Sequence, residues 1–184
     1  MRKRLIFPLI FITTLLPLSC FSDDNLESVM SPDGRWIAFT KNSDFPVPTN
    51  CFYALDKGEH GYEIWIKNTM TKKEWLLVKD YFSCHDVSKM IMDPTDLQFS
   101  PDSKTLYFET SAWVTSGAIH AVNVINGHER FVTDGGQYSV VMNGKYKVDL
   151  IVNQHRYHEG GGSYNWDWLF TPSGKQIKVY DKED

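Results

Sequence analysis

After residue 22 the chain keeps returning to one pattern. Apolar and polar side chains alternate in short runs, as in Glu63-Ile64 and Ile177-Lys178. A period of two is the mark of a half-exposed strand, because successive side chains point to opposite sheet faces. No stretch holds a helical period; Lys89 to Thr95 has room for a single turn. Three short strand patterns, Leu26 to Met30, Asp96 to Phe99 and Tyr138 to Met142, each run into a turn and then a β-branched, aromatic run. A second hairpin follows each time. Tyr62 to Ile66 turns into Trp75 to Val78, Ile119 to Val124 into Arg130 to Val132, and Trp166 to Phe170 into Gln176 to Tyr180. The pattern predicts an all-β chain of three four-stranded antiparallel units.

The turns repeat as well. Ser31-Pro32-Asp33-Gly34-Arg35-Trp36-Ile37-Ala38-Phe39 is matched by Ser100-Pro101-Asp102-Ser103-Lys104-Thr105-Leu106-Tyr107-Phe108. A degenerate third copy starts at Asn143-Gly144 and runs to Ile151. Proline presets φ, and Asp, Asn and Gly accept the tight bend. Asp33 and Asp102 therefore read as turn residues. The repeat resembles the Pro-Asp type of β-propeller repeat found in TolB-like proteins of the bacterial envelope. That resemblance covers nearly all of residues 23–184. It implies one propeller-type domain of three blades, a partial or half propeller, that binds other envelope proteins. TolB-like propellers have six blades. Three would expose sheet flanks, which proteins normally cover. The blades then close as a wedge, pair with a second copy, or dock on another protein.

Residues 1–22 read differently. Met1-Arg2-Lys3-Arg4 is a basic head, Leu5 to Leu18 is a short apolar core, and Ser19, Cys20 and Ser22 are small residues at its exit. These are the parts of a secretory signal. The exit resembles a bacterial lipoprotein site, which implies Cys20 as a lipidated first residue and, with Phe21 following, the outer membrane. Cleavage after Ser22 is the alternative. The expected place is the periplasm, with membrane contact through the lipid alone. Either cut leaves Cys51 and Cys84, expected to form a disulfide in an oxidising compartment.

Removing Arg2, Lys3 and Arg4 leaves 16 basic residues against 23 acidic ones, a charge of −7. That excludes nucleic acid as a partner class, since it attracts basic surfaces. The 42% hydrophobic content excludes a disordered chain.

In an up-and-down unit the tight turns lie at one end. The other end collects Lys41 to Gly61, Lys79 to Pro94, Ser111 to Gly117, Thr133 to Gln137 and Asn153 to Tyr164, all read as long loops. Cys51 and Cys84 fall there together, which supports their pairing. Loops on a rigid scaffold are where recognition usually sits. Tyr53, Trp113 and Tyr157 are the expected anchors of a protein partner. His155 and His158, ahead of Gly160-Gly161-Gly162, are assigned to the same binding face. Two histidines and Glu159 can bind zinc, but their spacing supplies no third ligand, so neither metal nor cofactor is expected. Nucleophile-elbow, phosphate-loop and dinucleotide-loop patterns are absent. The expected function is a non-catalytic envelope protein that binds another protein. Two alternatives stay open: an inhibitor or immunity-type protein that neutralises a secreted or periplasmic enzyme, and a metal-binding or hydrolytic protein.

Overall fold

The computed structural model describes residues 27–46, 60–83, 85–113 and 116–182. Cys20, Cys51, Tyr53 and Cys84 lie outside them, so the expected lipid anchor, disulfide and first anchor residue do as well.

The described residues form three antiparallel sheets of four strands. The first blade is β1 (Ser28–Met30), β2 (Trp36–Pro46), β3 (His60–Asn68) and β4 (Glu74–Val78). The second is β5 (Thr95–Phe99), β6 (Thr105–Trp113), β7 (Ser116–Asn123) and β8 (Glu129–Asp134). The third is β9 (Gly136–Val140), β10 (Leu150–Tyr157), β11 (Ser163–Phe170) and β12 (Gln176–Lys182). Each strand pairs with its neighbour in sequence, as the alternation predicts. A 3-10 turn, Val87–Lys89, takes the place of the turn read over Lys89 to Thr95.

The Ser-Pro-Asp motif is a closed set of bonds. Asp33 Oδ1 accepts from the Ser31 hydroxyl at 2.7 Å and from the Arg35 N–H at 3.0 Å, and Ser31 Oγ accepts from the Trp36 N–H at 3.0 Å. The second copy repeats this with Asp102, Ser100, Lys104 and Thr105 at 2.6–3.1 Å. The Arg35 N–H and then the Ser31 hydroxyl stabilise the charged carboxylate and hold Asp33 down to about 2. These aspartates are turn locks, as read from sequence. The Asp33 N–H also donates to Ser103 Oγ at 3.1 Å, which ties the first turn to the second.

The third copy departs from expectation. The strand read from Lys145 onward begins instead at Leu150, and residues 141–149 form a wide loop. Without the Pro-Asp lock the backbone bends at Val148, at φ 77°, and closes through hydrogen bonds between Val141 and the Val148-Asp149 pair.

Blades pack face to face through two apolar layers. One joins the first and second blades through Ala38, Ile64, Ile66, Phe99, Leu106 and Phe108. The other joins the second and third through Tyr107, Ile119, Ala121, Leu150, Val152 and Trp168. Alternation along β6 sends Leu106 and Phe108 one way and Tyr107 the other. The second blade is thus buried on both faces, which explains the near-continuous burial of β7. The first strands gather at the centre, where β5 lies against β1 and β9. Side chains join them there. Leu97 N–H donates to Glu27 Oε1 at 2.6 Å, and Gln98 bridges to Tyr138 O and to the Val140 N–H at 3.0 and 3.1 Å.

The two flanks are covered by polar dressing. On the first blade Lys41 lies over the Phe39 and Trp65 rings, at 4.9 and 4.5 Å from their centroids, and pairs with Glu74, which also holds Lys67 at 2.7 Å. On the third blade, Lys178 sits opposite Leu169 in register. Its Nζ lies 5.0 Å from the Tyr146 ring, so the wide loop screens that face.

The end read as long loops is built differently from expectation. Strand pairing continues through Asn42, Trp113 and Tyr157, and the link from second to third blade is Gly135 alone. Polar residues near these tips satisfied the alternation from inside. Thr110 is buried and donates to Met90 O at 3.2 Å, while buried Ser43 donates to Asp80 at 2.6 Å. The connection from β4 to β5 stays long, and carries the 3-10 turn and a bridge between Tyr81 and Ile91.

Candidate functional site

At the hairpin-tip end, two adjoining cavities open on either side of one carboxylate. The first, ≈ 390 Å³, runs from Glu109 across Gly117 and Gly136 to Asn153, His155 and Asn165. The second, ≈ 350 Å³, runs from Glu109 past Asp93 and Ala112 to Trp113. Glu109, Ser116 and Gly117 line both.

Glu109 projects from β6 toward the third blade because it sits two residues beyond Tyr107 on the same strand face. Its Oε2 accepts the Gln137 N–H at 3.0 Å. Its Oε1 lies against two glycines. A Cβ built on Gly117 would stand 2.6 Å from Oε1, and one on Gly136 would stand 3.0 Å away. The carboxylate thus fills a cradle that any side chain at Gly117 would occupy. Burial pushes the Glu109 carboxyl up, against the Gln137 N–H, which lowers it, and Asp96 adds to the rise.

A raised carboxyl has a stability consequence. Near neutral pH the folded state holds an ionised group that the unfolded chain solvates better. This group's contribution is most favourable below the ordinary glutamate value and is lost as pH rises through the higher folded value. Glu109→Gln removes that dependence. The variant should melt at or above the wild-type temperature at pH 7, with the difference narrowing or reversing toward pH 4. A lower melting temperature at pH 7 that stays constant with pH would assign Glu109 to the scaffold.

His155 lies on β10 with Nδ1 2.8 Å from Asn165 Oδ1. The amide oxygen accepts, so Nδ1 is the donor of this bond. The Tyr157 ring meets the His155 ring edge-on at 5.0 Å. Tyr157 is 69% exposed and Trp113 38% exposed, the latter edge-on to Phe131 at 6.4 Å. Trp113, Glu109, His155 and Tyr157 thus form one run across the tips of the second and third blades.

His158 is set apart from that run. Its ring packs on Tyr164 at 4.6 Å, at the start of an aromatic ladder through Trp166 to Trp168. Among the described residues no group of three His, Cys, Asp or Glu could hold a metal ion. The two histidines belong to different clusters.

Trp113, Tyr157 and His155, expected from sequence on one binding face, lie along these two cavities, and Glu109 between them was not among the expected residues. Its signal was faint: a charged residue directly after the apolar run from Leu106 to Phe108, with glycines recurring at Gly117 and Gly136. Nor was His120, which is fully buried, stacks on Phe108 at 5.3 Å and holds Glu129 through Nδ1 at 2.6 Å. Its Nε2 is buried without a partner.

No protein-family model matches the chain, and no curated protein matches it in sequence. Solved structures do match in fold. The β-propeller domain of the Trilobed protease from Pyrococcus furiosus superposes with a TM-score of 0.53 at 13% identity, over 86% of this chain and 42% of that one. A dipeptidyl aminopeptidase IV from Bacteroides ovatus gives 0.51 at 14% identity, over 85% and 26%. TolB from Acinetobacter baumannii gives 0.48 at 15%, over 85% and 32%. The chain spans less than half the length of each of these proteins. Three radially packed four-stranded meanders, and the superposition on the archaeal propeller domain, make this a β-propeller fold of the kind the Ser-Pro-Asp repeats implied, with sheets that do not close into a ring.

Proposed function

We propose that this chain is a non-catalytic binding protein of the bacterial envelope, which engages a protein partner through the hairpin tips of its blades. The observation that carries the reading is the exposed run from Trp113 through the Glu109 cleft to Tyr157. Large aromatics around a polar cleft are typical of interface anchors. Rigid paired strands hold them, which lowers the ordering cost of binding. The envelope setting rests on the signal-like first 22 residues, with Cys20 as the lipid attachment point. Fractionation tests that part: Cys20→Ala should move the protein from membranes to the soluble periplasm, and a wild type already soluble would overturn the anchor.

Binding itself is tested with partner recovered by cross-linking in intact envelopes and then measured in purified form. Trp113→Ala and Tyr157→Ala should each weaken binding by more than about 1–2 kcal/mol. Changes at the turn end, Lys72→Ala, Asn126→Ala and Met70→Ala, should stay within about 0.5 kcal/mol. Loss of binding from the turn-end set, with the tip aromatics silent, would assign the interface to the opposite end.

A further inference from the structure

We infer that the Glu109 cleft takes the ammonium group of a lysine side chain presented by the partner, with Trp113 flanking the lysine stem. This rests on the reading of the hairpin tips as a protein-binding surface and names the chemistry at its centre.

Charge comes first. Both cavities are lined by Glu109, and the second adds Asp93. Neither has a lysine or arginine among its described lining residues. The carboxylates of the turn motifs, Asp33 and Asp102, have a basic neighbour within 4.0 Å. Glu109 has no such salt bridge among the described residues. A half-buried carboxylate without a countercharge favours an incoming cation, because the medium around it screens poorly.

Geometry then selects among cations. Oε2 is committed to the Gln137 N–H at 3.0 Å. Oε1 packs against Gly117 and Gly136, whose missing side chains let the carboxylate reach the border of both cavities. With Oε2 already holding the Gln137 N–H, the carboxylate is a poorer match for the two parallel donors of an arginine fork. An ammonium is a compact point charge with three rotatable donors, and it needs no second carboxylate oxygen. Around it stand further acceptors. The Gly135 carbonyl lies 3.0 Å from the position a Gly117 Cβ would take. His155 and Asn165 line the same cavity.

The walls fit a lysine stem. Ala112 and Trp113 give the second cavity apolar wall beside Glu109. Lysine lays its methylenes along apolar surface while its head stays polar, and an indole face also attracts the cation. One aromatic wall and one carboxylate therefore discriminate both ends of the same side chain.

The test uses the folded mature chain and Nα-acetyl-lysine methylamide as the probe, followed by amide and indole resonances. Saturable shifts are expected at Gly117, Gly136, Gln137 and the Trp113 indole. The Nε-acetylated probe, which lacks the charge, should bind about tenfold or more weakly. The arginine analogue should bind more weakly than lysine. Glu109→Gln should abolish the shifts while its spectrum stays folded. Gly117→Ala, which displaces the carboxylate, should do the same. Equal binding of the Nε-acetylated probe, tighter binding of arginine, persistence in Glu109→Gln, or no saturable shift would each overturn the inference. If the probe fails while Trp113→Ala and Tyr157→Ala still weaken the purified partner, the lysine assignment falls and the binding face stands.

Discussion

Replacing Phe108 with alanine should lower the unfolding free energy by about 3–5 kcal/mol, the range for emptying a buried aromatic position. Phe108 is fully buried in the layer between the first and second blades, beside Ile66, Leu97 and Leu106. Its ring also stacks on His120 at 5.3 Å. The vacancy would open beside a histidine whose Nε2 already lacks a partner, so relaxation would expose a polar atom to an apolar hole. Phe131→Ala is the comparison. Phe131 is 37% exposed and touches the same histidine edge-on, so its loss should cost about 1–2 kcal/mol, with part of the ring already in water. Urea denaturation reads both, and an unchanged slope confirms that stability alone has moved. A cost under about 1 kcal/mol for Phe108→Ala, below the range typical of core truncations, would mean that the two blades do not pack as described.

The second large effect comes from one glycine. Gly174, in the turn between β11 and β12, has φ 85°, and a Cβ there would stand 2.1 Å from the Val132 carbonyl oxygen. That oxygen is backbone of the neighbouring blade and cannot rotate away. Gly174→Ala therefore has to separate the third blade from the second or break its own turn. Strain of roughly 1–2 kcal/mol from the left-handed backbone adds to an overpacking cost of about 1–3 kcal/mol. Gly160→Ala is the control, since a Cβ at Gly160 meets nothing within 4 Å. It should change the melting temperature by no more than a degree or two, while Gly174→Ala lowers it by many degrees. Equal melting of the two variants would refute this contact between blades.

The strands and turns were legible because their causes are local. Period-two alternation places β3, β7 and β11 within three residues at either end, and the Ser-Pro-Asp lock is complete within six residues of chain. The third turn misled because Asn143-Gly144 promises a tight bend. The bend actually needs Val148 in a conformation that sequence gives no reason to expect. The hairpin tips misled for another reason. Thr110 and Ser43 look like loop residues until their buried partners, Met90 O and Asp80, are known. The cleft was illegible as a whole. Glu109, Gly117, Gly136 and His155 come from four strands of two blades, and in one dimension a lone glutamate in a strand reads as a solvent-facing position. Trp113 and Tyr157 were expected as exposed loop aromatics; they stand exposed at the ends of paired strands instead.

Among the described residues every strand of the three sheets pairs with a sequence neighbour, and the blades touch one another through side chains and a few cross-links such as Asp33 to Ser103. Ring propellers add a long-range seam between first and last blades; the described strands form none. The protein's relative contact order is therefore low for an all-β chain, and its folding should be fast for that class. Each meander closes its own short loops before the stack has to form. The slow event becomes the docking of preformed sheets onto the central one, β5 to β8. In a stopped-flow experiment the interface variant Phe108→Ala should accelerate unfolding far more than it slows folding. Shear between finished sheets, rather than registry within them, would then set the lifetime of the native state.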